Sequence, residues 1–325
     1  MIASLQPKEQ QIGFSDLAAQ KALKKVRNHP LLRIKEKFPF DRFREILTKL
    51  YSQNGRPGFD PVKMLCLLLL GKLQNLSDKR LETDVTVNLL YREFCGWGMD
   101  DDTPDHSTLS RFRDRIAPVW PEIWAEMLDW LRENRLLNSE LLIIDATDIK
   151  AQGRFRKPPD SGGSSSEDKY AKQTDPDARH GYKKKDKPFF GYKSHVITDA
   201  KSDMVVAIET TPGNVHDGVM LPKLVPRLRY KPFEVSADKI YWSLTNRRFL
   251  LSQGIADGII PNSKTPGPRK LAHLLRKRIE RINSLLKCMF GLARTRFFGL
   301  KNVDLDQKLG GFAVNLVNLL RTSQM

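Results

Sequence analysis

Residues 141–151, LLIIDATDIKA, decide the fold. The run is compact, apolar and β-branched, which marks a buried strand, and it carries Asp145 near its middle. A charge there needs a reason. Alternation along an extended chain puts Asp145, Thr147 and Ile149 on one face and Ile144, Ala146 and Asp148 on the other. Asp145 and Asp148 therefore point opposite ways, and each is a candidate ligand, although only Asp145 lies within the apolar run.

On the C-terminal side, GYKSHVITDA and MVVAIET flank the turn Lys201, Ser202, Asp203 and read as a hairpin. The loop TTPGNVHDG leads into a short helix over 219–224. Residues 233–237 form a strand that ends on Asp238, a second acid at a strand end. Ser243 or Thr245 opens a helix closed by Gly254, and residues 258–261 make a last strand. Next comes KLAHLLRKRIERINSLLKCM, residues 270–289. At 100° per residue Leu271, Leu274, Leu275, Ile282, Leu285, Leu286 and Met289 fall within an arc of about 140°, a core-facing stripe. Opposite them, at offsets of −7, −4, 0 and +7, stand His273, Arg276, Glu280 and Lys287, within about 60° of one another. One carboxylate is ringed by cations. That face is either solvated, with Glu280 relieving repulsion, or a charged site. An apolar helix over 310–320 covers the sheet.

On the N-terminal side the spacing is helical. Residues 1–37 form a polar arm carrying Lys21, Lys24, Lys25 and Arg27, and residues 38–138 form an all-α domain. Phe40, Phe43, Ile46, Leu47 and Leu50 mark one helix, Pro61 after Asp60 opens a buried one, and Ser77 caps a third. An acidic, turn-rich break precedes HSTLSRFRDRI, residues 106–116. Its Arg111, Arg113 and Arg115 cover more than one face, while Leu109, Phe112 and Ile116 keep an apolar seam. Short helices followed by such a helix suit a helix-turn-helix-like DNA reader, and equally a bundle with a solvated basic face. Residues 139–325 form an α/β domain. Within it, residues 152–188 read as a flexible surface loop whose Lys183, Lys184 and Lys185 make either a disordered insert or an arm on DNA.

The 325 residues carry a formal charge of +17, too lopsided for a typical small-molecule enzyme and suited to a polyanionic partner. No apolar run reaches the roughly 20 residues that span a bilayer. The first residues lack a secretory pattern, so a cytoplasmic, nucleoid-associated protein is expected. The three cysteines lack metal-ligand spacing and read as core filler.

In order, a strand with Asp, a hairpin, a helix, a strand ending in Asp, a helix, a strand and a helix with Glu resemble the RNase H-like core of DDE transposases of bacterial and archaeal insertion sequences. The most specific match is the signature Tyr, two residues, Arg, three residues, Glu, six residues, Lys, present here as His273, Arg276, Glu280 and Lys287, with His in place of Tyr. IIDATDIKA, GNVHDG, the ADK at 237–239, GRPGFDPVKM, LSDKRLE and TPDHSTLSRF also look familiar, and the likeness spans roughly residues 38 to 320.

The resemblance implies a mixed five-stranded sheet flanked by helices and a catalytic, metal-binding triad of Asp145, Asp238 and Glu280. It implies two magnesium ions, with manganese able to substitute, water cleaving DNA at the element's terminal inverted repeats, and the freed 3′-hydroxyl attacking target DNA. Arg276, Lys287 and His273 would meet phosphate or DNA. A homodimer is expected because two ends must be joined, and no membrane is involved. Softer roles fall to His216 and Asp217 beside the site, with a helix N-cap as the commoner use of Asp217. Trp242 is a candidate for base stacking, and Asp148 is the rival first ligand. An RNase H-like nuclease or resolvase without strand transfer, and a non-catalytic domesticated DNA-binding protein, stay open as alternatives.

Overall fold

The computed structural model describes residues 14–51, 58–155, 173–184, 187–261 and 269–322, with the side chains of 14–16, 183–184, 269–276 and 322 outside that description. The chain divides into two compact units, Met1–Trp130 with Leu316–Met325, and Leu131–Asn315. The sequence reading gave 139–325 to one domain. Instead, the last turns of the helix Leu300–Thr322 group with the first unit, where Leu316 and Leu319 are buried.

The first unit is helical. Its central helix, Pro61–Leu73, is buried almost all round because it is apolar almost all round. Asp60 caps it by accepting from Val62 N–H at 2.8 Å, and Ser77 caps Asp78–Val87 by accepting from Arg80 N–H. Phe38, Phe40, Phe43, Phe94 and Trp130 pack edge-on and stacked around it. The acidic break ends at Asp105, which caps His106–Ile116 through Thr108 N–H at 2.6 Å.

Among the described residues, the second unit holds a mixed six-stranded sheet of β1 (Leu141–Lys150), β2 (Arg179–Lys184), β3 (Lys187–Asp199), β4 (Val205–Pro212), β5 (Glu234–Ala237) and β6 (Ala256–Ile259). The sheet runs β2-β3-β1-β5-β6, with β4 paired to the later part of β3. β1 is antiparallel to β3 and parallel to β5, and β5 is parallel to β6. The expected five strands are all present, and β2 is a sixth. It lies inside the stretch read as a loop over 152–188, as does the start of β3. Its sequence, RHGYKK, has too few apolar residues to announce a strand. What holds it is pairing with β3 from Arg179 opposite Gly191 to Lys184 opposite Lys187, beside a buried Ala178 and Asp175.

Between β1 and the C-terminal helix, Ile149, Ala151, Ala178, Tyr192 and Val303 form one core cluster. That helix begins at Leu300, well before the expected 310, because Val303, Leu305 and Leu309 are buried among polar neighbours. A Cβ on Gly310 would stand 2.2 Å from Leu292 Cδ1, so the close packing there needs glycine. Asn315 bonds both backbone groups of Val205, at 2.7 and 2.9 Å, and Asp304 accepts from Thr210 N–H at 2.8 Å. These backbone groups of β4 are thereby satisfied.

Candidate active site

β1 and β5 run side by side and parallel, with Ile144 opposite Ala237. One residue further on, the register sets Asp145 beside Asp238, and residues across a ladder share a face. Both are half-buried. Asp238 caps the 3₁₀ turn Lys239–Tyr241, accepting from Lys239 N–H. Asp145 Oδ2 accepts from Asn283 Nδ2 at 2.9 Å.

Glu280 rides the helix Arg269–Ser284. Ile279 docks that helix by packing with Ile143, Ala200 and Leu141. Charge reinforces the contact: Arg281 bonds Asp203 on the β3–β4 turn, and Arg278 bonds the carbonyls of Ala200 and Lys201. Glu280 is exposed. Asn283 and Lys287, three and seven residues further on, lie along its row of the helix. Both reach β1, Asn283 at Asp145 and Lys287 Nζ at Asp148 Oδ1, 2.9 Å. The helix continues as the π turn Leu285–Met289, a widened turn found often beside functional sites. One helical segment thus engages acids of opposite strand parity. β5 pairs with β1 only as far as Ile144, and Ala293 and Thr295 bond the β1 backbone again at Lys150.

Lys193 stands opposite Asp148 on β3 and gives its ammonium to Asp217 Oδ1 at 2.7 Å and the Val215 carbonyl at 2.9 Å. Asp217 is therefore not the cap of its turn. His216 is, its Nδ1 accepting from Gly218 N–H at 3.2 Å. Buried Asn246 ties this loop to the one after Asp238, donating to the carbonyls of Gly218 and Tyr241 at 2.9 Å each. Tyr241 between them is fully buried. Burial pushes its phenol well above the ordinary value, and the charges of Asp145, Asp217 and Asp238 push the same way. His195 is buried too, bonded to Thr211 Oγ1 at 2.9 Å, and burial depresses its pKa to about 4, helped by Lys193 and opposed by Asp217.

Other expected contacts are dispersed. Arg247 lies over the Trp242 ring at 4.2 Å and pairs with Asp257 at 2.6 Å, so one face of that indole is covered. Arg113 is corrected: it is 6% exposed, and its guanidinium holds Asp78 through two bonds of 2.9 and 2.6 Å, which removes it from any DNA-facing row. Arg111 is exposed, bonded to Ser107 and Thr108, and Arg115 is exposed 5.8 Å from the Tyr51 ring. His273 and Arg276 follow the backbone of the Glu280 helix, and Lys183 and Lys184 that of β2, with side chains outside the description. Lys185 lies outside the described residues.

A family model described as "Transposase DDE domain" matches residues 137–306, and a second, "Transposase domain (DUF772)", matches residues 19–115. The chain belongs to the DDE transposase family. It is an enzyme of the metal-dependent transposase class. Among solved structures it is similar to a piggyBac transposase synaptic complex with hairpin DNA, at 12% identity over 92% of this chain and 78% of that one, TM-score 0.43. It is also similar to a Mos1 transposase paired-end complex with left transposon end, at 12% identity over 82% of this chain and 81% of that one, TM-score 0.22.

The transposase's oxygen donors suit a hard divalent cation. Among the described residues, no three His, Cys, Asp or Glu stand close enough to hold a metal ion. Sequence reasoning missed Asn283, although it lies on Glu280's row, and Lys193, whose role comes from the Asp148 register. No described helix is long and apolar enough to cross a membrane.

Proposed function

We propose that this transposase binds the terminal inverted repeats of an insertion sequence as a homodimer, cleaves the DNA and transfers the 3′-hydroxyl ends to target DNA, with Asp145, Asp238 and Glu280 as its catalytic carboxylates. The observation that carries this reading is the pairing of Ile144 with Ala237, which supports Asp145 and Asp238 as adjacent ligands. Held by these carboxylates, two magnesium ions, or manganese in their place, would supply an activated attacking oxygen and offset charge on the leaving oxygen. Asn283 orients Asp145 by donating to its Oδ2. Lys287 neutralises Asp148, which favours Asp145 as the first ligand. Arg111 and Arg115 are the arginines of their helix carried forward as DNA contacts, together with Arg276, His273 and Lys183 to Lys185, on charge and spacing. His216 and Asp217 support the site from its flank.

The test is cleavage and joining of labelled DNA carrying the element's own ends, with magnesium, comparing the parent with Asp145→Asn, Asp238→Asn and Glu280→Gln. Joining by the parent and loss of both steps, but not of binding, in each variant is the expected result. Cutting without joining would replace the reading with a nuclease, and binding without either step with a regulator.

A further inference from the structure

Tyr241 has no assigned role, and its position is unusual. Its side chain is fully buried, and among the described residues its hydroxyl finds no hydrogen-bond partner. A buried, unsatisfied hydroxyl costs about 1–3 kcal/mol. A state of the molecule that gives the group a partner relieves that cost. Tyr241 follows Asp238 by three residues and ends the 3₁₀ turn that Asp238 caps, its N–H donating to the Asp238 carbonyl at 2.9 Å. One short segment thus carries both Asp238 and Tyr241. The backbone is pinned there, since Asn246 holds the Tyr241 carbonyl and a Cβ on Gly218 would already stand 3.1 Å from the Ile240 carbonyl.

The carboxylate pair is unequally supported. Asp145 has Asn283 as a side-chain donor, whereas the bond recorded for Asp238 comes from the next backbone N–H. Carboxylates that hold a metal are themselves hydrogen-bonded from behind, which fixes the lone pairs that face the ion. We propose that Tyr241 is a positioning residue whose O–H donates into the Asp145–Asp238 carboxylate pair when a divalent cation is bound. Asn283 and Tyr241 then play matching parts from the helix and from the 3₁₀ turn. The inference rests on the reading of Asp145 and Asp238 as metal ligands, and the test separates the two.

Manganese binding is measured by electron paramagnetic resonance on the full chain, together with Tm in the absence and presence of manganese, for the parent, Asp145→Asn and Tyr241→Phe. The phenylalanine keeps the packed ring and deletes only the unpartnered hydroxyl. Tyr241→Phe is expected to bind manganese roughly tenfold more weakly, with a smaller metal-induced rise in Tm and a metal-free Tm equal to or above the parent's. Parent-like manganese binding in Tyr241→Phe, beside lost binding in Asp145→Asn, overturns the role of Tyr241 and leaves the site intact. A metal-free Tm several degrees below the parent's also overturns it, because the hydroxyl would then serve the unloaded fold. Undiminished binding in Asp145→Asn, or none in the parent, overturns the metal site and this inference with it.

Discussion

The β1–β5 edge and the helix Arg269–Ser284 carry the three proposed catalytic carboxylates, and different forces hold them. Asp145 and Asp238 stand one residue beyond a backbone ladder whose register admits no small adjustment, because a slip of one residue would turn every side chain over. Glu280 rides a helix docked by Ile279, two arginines and the bonds from Asn283 and Lys287. Strand-borne charge is placed by hydrogen bonding within the sheet. Helix-borne charge is placed by whatever the helix packs on, and each of its side chains must be asked separately where it goes.

The sharpest test is at the carboxylates. Asp145→Asn and Asp238→Asn should lower cleavage by about a thousandfold or more, equivalent to about 4 kcal/mol, with the metal-free urea midpoint within error of the parent's. Glu280→Gln with near-parental cleavage would break the comparison, leaving the strand pair as the whole site.

The arginines of His106–Ile116 extend it to a second helix. Arg113→Ala leaves Asp78 without its two-bond partner and should cost about 3 kcal/mol in urea unfolding. Arg111→Ala should leave stability within about 0.5 kcal/mol and reduce the salt slope of DNA binding by about one. Equal stability losses would mean that burial does not divide this helix.

A strand-borne test is pH. His195 has its folded pKa depressed to about 4, so below its unfolded value of about 6.5 the unfolded chain binds the extra proton. Stability contributed by the neutral ring is complete above pH 6.5 and falls away as pH drops towards 4, by an amount of the order of 2–3 kcal/mol. Urea midpoints from pH 7 to 4.5 should fall less steeply in His195→Gln, and an unchanged slope would remove His195 as the source.

The smallest effect is expected at the helix clamp. Asp203 holds Arg281 and lies 3.7 Å from Arg278, at a backbone φ of +60° that Asn also tolerates. Asp203→Asn should lower stability by about 1 kcal/mol, since both arginines are half exposed. A larger fractional loss of cleavage than of stability would show that the clamp positions Glu280.

The family was legible in the sequence, and so were the strands bearing Asp145 and Asp238. Apolar β-branched runs with turn residues between them leave few alternatives. β2 was not legible, since RHGYKK is polar and becomes a strand only beside β3. The extra length of the C-terminal helix was hidden for a related reason, its buried stripe being diluted by Lys301, Asp304 and Lys308.

The sequence by itself determined the order of acids along an α/β chain and the row that puts Glu280 with Lys287, because residue periodicity fixes faces within one element. Only the tertiary structure decided what each face meets: that Arg113 turns inward to Asp78, that Lys287 takes Asp148, that His216 and not Asp217 caps its turn, and that the Tyr241 hydroxyl is buried without a bond among the described residues. Periodicity is a property of a single segment, whereas partners come from segments distant in the chain, and their choice follows from packing and from satisfying buried polar groups together.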